Sequence, residues 1–185
     1  MTEPFVLTDR LQVRTAMLAI GRSTLRNQGA AGMVAHARSF LRAIDLGAFS
    51  STTQKQFARL LDSQTKRLAN GFPGDGRGNW GAARKSMNIF LRDVVYCRPL
   101  CEHYRLVAIE PWLEVPLDSN VYDGLVSDWE DPGVVPPWPG VRALTPSTSR
   151  VLQRIATAIA ESMGTARVHL DVRYWRRGEM DALAG

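Results

Sequence analysis

Two short strings hold residues able to do covalent chemistry. Gly81-Ala82-Ala83-Arg84-Lys85-Ser86-Met87-Asn88 places a lysine near the start of an apolar-striped segment. Val115-Pro116-Leu117-Asp118-Ser119-Asn120-Val121 places an aspartate just after a Pro-Leu pair, where a helix can begin. The two side chains are 33 positions apart in the chain. A lysine amine and a carboxylate delivered to one cleft by two helices can attack a sugar C1′ and remove a base. The amine forms a Schiff base with C1′, and strand cleavage can follow. The carboxylate stabilises the positive charge that builds on the sugar. Lysine amines ordinarily titrate at about 10.4, so a nucleophilic one needs burial, cationic neighbours or a proton acceptor. Arg84 and Arg92 are the candidate cationic neighbours, and Asp118 is the candidate acceptor.

Each of these residues also has a plainer reading. Lys85, Asn88 and Arg92 fall at i, i+3 and i+7, one polar stripe on a helix, and such a stripe can simply face solvent. Asp118 after Pro116-Leu117 can simply cap a helix.

The elements that must position these groups are helices. Apolar spacing predicts helices over 8–27, with Thr8 as cap, and over 31–46. Ser50-Ser51-Thr52-Thr53 offers N-caps for a helix carrying Phe57, Leu60 and Leu61. The run 71–79 contains four glycines and breaks the chain. A helix from Trp80 to about Tyr96 follows, striped by Met87, Phe90, Leu91, Val94 and Val95, and Pro99 ends or kinks it. Asp118 or Ser119 caps a helix running to about Trp129. Five prolines between 131 and 146 predict a surface loop, flanked in part by Trp129 and Trp138, which either pack it down or wedge a duplex open. Ser147 or Thr148 then caps a helix ending near Gly164, and a last helix covers about 166–180. Period-two alternation is scarce, so the expected class is all-α, in one domain over 1–185.

The 185 residues suffice for a core without staples, and the net charge of +5 favours a polyanionic partner such as nucleic acid. Cys97 and Cys101 read as small buried apolar residues rather than as a metal site or disulfide framework. Glu110, Glu114 and Asp118 form a carboxylate series that could hold magnesium, but no fixed metal motif accompanies them. His169 reads as structural. No metal and no cofactor are expected. No stretch approaches 18 apolar residues and the start lacks a signal-peptide pattern, so the expectation is a reduced, cytoplasmic protein with no membrane partner.

The strings around Lys85 and Asp118 resemble the helix-hairpin-helix DNA glycosylase superfamily. Its lysine-bearing members place the lysine in a Gly-x-x-Arg-Lys-x-x-Asn-like helix start after a glycine-rich hairpin, matched here by Gly81, Arg84, Lys85 and Asn88. Their aspartate sits in a Pro-Val-Asp-x-x-Val-like string, matched by Pro116, Leu117, Asp118 and Val121. The long gap between the two is closest to the archaeal 8-oxoguanine glycosylase branch. Val168-His169-Leu170-Asp171-Val172-Arg173-Tyr174-Trp175 resembles that branch's C-terminal segment, whose aspartate and tryptophan face the extruded base. Leucine replaces the usual valine before Asp118, and Gly74-Asp75-Gly76-Arg77-Gly78-Asn79 departs from the common hairpin pattern. Arg173, Arg176 and Arg177 stand where the family is more apolar.

The resemblance implies a two-lobed helical domain with a DNA cleft between the lobes. It implies a monomeric DNA N-glycosylase, with or without AP-lyase activity, acting on double-stranded DNA that carries a damaged or modified base. Lys85 would be the nucleophile and Asp118 its partner, with Asp171 and Trp175 in the base pocket. Gly76, Arg77, Gly78 and Arg84 would contact the DNA backbone, through hairpin amides, a helix N-terminus and added charge. Plainer roles stand beside these: an interhelical loop for the hairpin, core packing for Trp175 and an ion pair for Asp171. The competing function is a non-catalytic DNA- or protein-binding helical module that keeps the fold alone.

Overall fold

The computed structural model describes residues 6–50 and 53–175. These residues form helices and turns, with no strand among them. The first helix, α1, is Leu7–Ala19, shorter than the 8–27 span predicted from spacing. Ile20 leaves the helical region, its carbonyl accepts from Arg38 Nε at 2.8 Å, and Gly21 N–H donates to Thr24 Oγ1 at 3.1 Å. Side chains thus capture the backbone that would have continued the helix. Thr8 lies inside α1 rather than capping it; Val6 holds the N-cap position. A connection through Gly32, at φ 95°, leads into α2, Met33–Leu41, shorter at both ends than the expected 31–46.

Helix α3, Gln54–Gly71, begins with a reciprocal capping box between Thr53 and Gln56. Of the expected cap cluster, Ser51 and Thr52 lie outside the described residues. Helix α4, Trp80–Tyr96, matches the predicted span, and the Asn79 side chain caps it by accepting from Ala82 N–H at 2.9 Å. After a break at Cys97, the short α5 is Arg98–His103, with Pro99 in its first turn. A 3-10 segment, Leu106–Trp112, and an irregular stretch lead to α6, Ser119–Asp128. The proline-rich loop contains two 3-10 turns, Pro132–Val134 and Val141–Ala143. Helix α7, Pro146–Ser162, is capped by Thr145, not by Ser147 or Thr148. Pro146 supplies the first position, where its missing N–H costs nothing. Gly164 ends the unit at φ 66°, as expected of a C-terminal glycine. Among the described residues, the predicted last helix is a 3-10 turn, Arg167–His169, followed by α8, Leu170–Tyr174. Arg176, Arg177 and the remainder of that span lie outside the described residues.

The apolar side chains gather in two clusters. The first surrounds α4 and includes Phe49, Phe57, Leu68, Phe72, Met87, Phe90, Leu91 and Leu100. Burying each such side chain stabilises the fold by about 1.5–3 kcal/mol. The second joins α6, α7 and α8 through Val121, Leu125, Leu152, Ile155, Ile159, Leu170 and Tyr174. The backbone passes from one cluster to the other between Leu113 and Val115, just ahead of Asp118. Among the described residues, no helix is long and apolar enough to cross a membrane.

Candidate active site

Lys85 leaves α4 in its second turn, and Asp118 sits at the N-cap of α6. The segment before Asp118 is fixed by side chains that reach its backbone. Buried Gln153 donates to Val115 O at 2.8 Å and accepts from Val115 N–H at 3.1 Å. Arg167 donates to the carbonyls of Trp112 and Leu113, each at 2.9 Å. Neither clamp has a sequence signal, because both depend on contacts between distant elements. With the approach fixed, Asp118 Oδ1 accepts from Val121 N–H at 3.1 Å, and Oδ2 lies 3.1 Å from Lys85 Nζ. One carboxylate is therefore both the helix cap and the partner of the lysine. The Lys85 side chain is 11% exposed and that of Asp118 28%, so the pair is shielded yet reachable from solvent.

The pair opens on a cleft of about 590 Å³. Asp171 and Trp175 line the same cleft, as do Arg92, Trp138 and Asn120. Asp171 is ion-paired with Arg92, which also contacts Asp93 Oδ1 at 2.7 Å. Burial pushes the Asp93 carboxyl up, and Arg92 acts against that rise. Trp175 is half exposed at the cleft and does not belong to either apolar cluster. Of the two loop tryptophans, Trp138 reaches the cleft while stacking on Tyr122, with ring centroids 5.6 Å apart. Both tryptophans pack against the second apolar cluster, and Trp129 does not line the cleft.

The loop between α1 and α2 also lines the cleft, through Ser23, Thr24, Arg26 and Gln28. Periodicity concealed Ser23, Thr24 and Arg26, since it assigned them to a continuing helix over 8–27. Gln28 is held by Asn79 Nδ2, which donates to its carbonyl at 2.8 Å. Gln28 Oε1 accepts no hydrogen bond among the described residues.

Several sequence-derived assignments need correction. Arg84 is 7% exposed and does not line the cleft. Its Nε and one terminal nitrogen grip both oxygens of Glu114 at 2.8 Å each, and its other terminal nitrogen reaches Asp62 at 2.8 Å. Its guanidinium also lies over the Trp80 ring, 5.4 Å from the centroid. A side chain committed in this way is not available to a DNA phosphate. Burial works to raise the Glu114 carboxyl, but Arg84, Arg167 and Asn88 outweigh it and hold that group below the usual carboxylate range. Asn88 is likewise buried, donating to Glu114 Oε2 at 3.1 Å, so it leaves the polar stripe that Lys85 and Arg92 share.

The hairpin amides are also engaged. N–H groups of Gly76, Arg77, Gly78 and Asn79 donate to Pro73, Gly74, Ala69 and Gly76 carbonyls at 2.8–3.2 Å. Gly76 is buried against Met33, where a Cβ would lie 2.6 Å from the sulfur. The start of α4 is roofed as well, since a Cβ on Gly81 would collide with the Val141 carbonyl oxygen. A phosphate therefore finds no donating amide at Gly76, Arg77 or Gly78 in this arrangement. Gly78 is exposed at φ 81°, and the exposed Arg77 side chain keeps only its charge for such a role.

The carboxylate series divides among three partners: Glu110 faces His169 Nε2 at 3.0 Å, Glu114 holds Arg84, and Asp118 holds Lys85. Among the described residues, no group of three or more potential metal ligands converges. His169 also meets the Tyr96 hydroxyl at 2.7 Å through Nδ1, a bridging position away from the Lys85 cleft. Cys97 and Cys101 are both free thiols, the second buried.

No protein family model, no curated protein and no solved structure matches this chain.

Proposed function

We propose that the chain is a DNA glycosylase that extrudes a damaged or modified base into the Lys85 cleft and excises it. The observation that carries this reading is the shielded Lys85–Asp118 pair, 3.1 Å apart, on a cleft that Asp171 and Trp175 also line. On this reading the two apolar clusters are the cores of two lobes, the cleft between them receives double-stranded DNA, and the α3–α4 pair is the helix-hairpin-helix element.

Asp118 takes a proton from the Lys85 ammonium, and the freed amine attacks C1′. The C1′–N bond to the base breaks, its electron pair leaves with the base, and the nitrogen now bonded to C1′ gives up a proton that the base takes up. With its lone pair restored, that nitrogen forms a double bond to C1′ as the C1′–O4′ bond opens, and O4′ takes the proton held by Asp118, giving a Schiff base and a free hydroxyl. Loss of a C2′ proton and of the 3′ phosphate would cleave the strand. Trp175 offers a face for stacking the extruded base, and the Arg92–Asp171 pair presents both donors and an acceptor to its edge. Sequence-independent affinity must come from basic side chains such as Arg26 and Arg77, because the hairpin amides are engaged.

The test is single-turnover excision on duplexes that differ in one modified base. Lys85→Gln should lower the rate on the accepted base by at least about 100-fold, the usual scale for a catalytic group, with duplex binding kept. Wild-type excision by the variant would overturn the assignment. Duplex binding without excision of any base would favour the non-catalytic module.

A further inference from the structure

A second cavity, of about 550 Å³, shares no lining residue with the Lys85 cleft. Its lining includes Arg150, Arg154, Arg167, Ser147 and Glu114. Arg150 and Arg154 are one turn apart on α7 and exposed. Arg167 enters from the 3-10 turn before α8 and is partly buried.

The charge balance of this cavity is unusual. Among the described residues, none of the three arginines has a carboxylate within ion-pairing distance. Arg167 is bonded only to neutral groups, the Trp112 and Leu113 carbonyls and Thr157 Oγ1 at 3.2 Å. Three of its five N–H donors are used there, so two remain. Glu114 offsets the charge of the cavity only in part: its field reaches Arg167, but Arg84 holds both of its oxygens and Asn88 donates to one of them. Three guanidinium groups thus share a concave site with one carboxylate, which is already ion-paired to Arg84. Planar forks of this kind match the oxygens of a phosphate.

We propose that this cavity is an oxyanion site that takes a phosphate group through Arg150, Arg154 and Arg167. The site stands independently of the Lys85 chemistry. The phosphate belongs either to a nucleic-acid backbone or to a small phosphorylated compound.

Inorganic pyrophosphate is the probe, with thermal melting of the whole chain as the readout and sodium chloride of equal ionic strength as reference. Wild-type protein should gain about 3–6 °C when pyrophosphate is near ten times its Kd. The Arg150→Gln/Arg154→Gln protein should melt close to wild type in chloride, because both positions are exposed, and should lose the pyrophosphate shift. Salt dependence of duplex binding then separates the sources. A log–log slope smaller by about 1.8 in the double variant assigns the site to backbone phosphates. An unchanged slope beside a lost pyrophosphate shift assigns it to a free phosphate compound. The proposal is overturned if pyrophosphate gives wild type no shift beyond chloride, or gives the double variant the same shift.

Discussion

Replacing Asp118 in two ways separates its two contacts. Oδ1 caps α6 through Val121 N–H, and Oδ2 faces Lys85 Nζ, each at 3.1 Å. In Asp118→Asn the amide oxygen can still cap, since asparagine is as good an N-cap as aspartate. What disappears is the negative charge, so Lys85 loses its ion-pair partner in both variants. Asp118→Ala removes both contacts. The two variants should therefore differ in stability by the cap alone, about 1 kcal/mol. For a chain of this length that is roughly 2–4 °C in Tm. Both should lower single-turnover excision by at least about 100-fold, because the proton acceptor is absent in each. Calorimetry and excision on one preparation supply both numbers. Wild-type excision by Asp118→Asn would refute the proton-acceptor role. An alanine variant as stable as the asparagine one would refute the dual use of the carboxylate.

Arg84→Met should cost about 3–5 kcal/mol, roughly 6–20 °C in Tm, because it leaves the largely shielded Glu114 carboxylate without its ion-pair partner and with only the Asn88 hydrogen bond. Glu114 also predicts an acid limb. Its folded pKa lies below the unfolded value, so its stabilisation is full above about pH 4.3 and is lost as pH falls through the folded value. Denaturant melts against pH should show that limb in wild type and a flatter one in Glu114→Gln. Gly81→Ala should lower stability by about 1–3 kcal/mol, since its methyl must displace the Val141 turn; an unshifted melting curve would contradict that packing. Trp175→Ala should leave Tm within about 2 °C of wild type, as expected for a half-exposed side chain outside both apolar clusters. It should nevertheless weaken excision of every accepted base by roughly 5–150-fold, the equivalent of 1–3 kcal/mol of stacking.

What the sequence disclosed depended on whether local chemistry decided the outcome. Helix α4 matched its predicted span because its apolar stripe and flanking breakers agree. Asp118 could be read as a cap because capping is local, and Thr53 for the same reason. Lys85 and Asp118 meet as the two strings suggested. Arg84 was misread because its carboxylates, Asp62 and Glu114, lie far away in sequence, and spacing within α4 cannot reveal them. Asn88 was misread for the same reason. The end of α1 was hidden because Thr24 and Arg38 terminate it with side-chain hydrogen bonds that periodicity does not weigh. The glycine-rich run suggests a phosphate contact at Gly76, whereas Met33 packs against that glycine.

The central claim is that the Lys85 amine becomes covalently joined to C1′ of the sugar. Incubating the protein with a duplex carrying an accepted modified base, in the presence of borohydride, reduces the Schiff base to a stable secondary amine. Peptide mass spectrometry then locates the adduct. The account predicts a protein–DNA adduct on Lys85, absent in Lys85→Gln and strongly reduced in Asp118→Asn. Base release without any adduct, or an adduct that persists in Lys85→Gln, would contradict it.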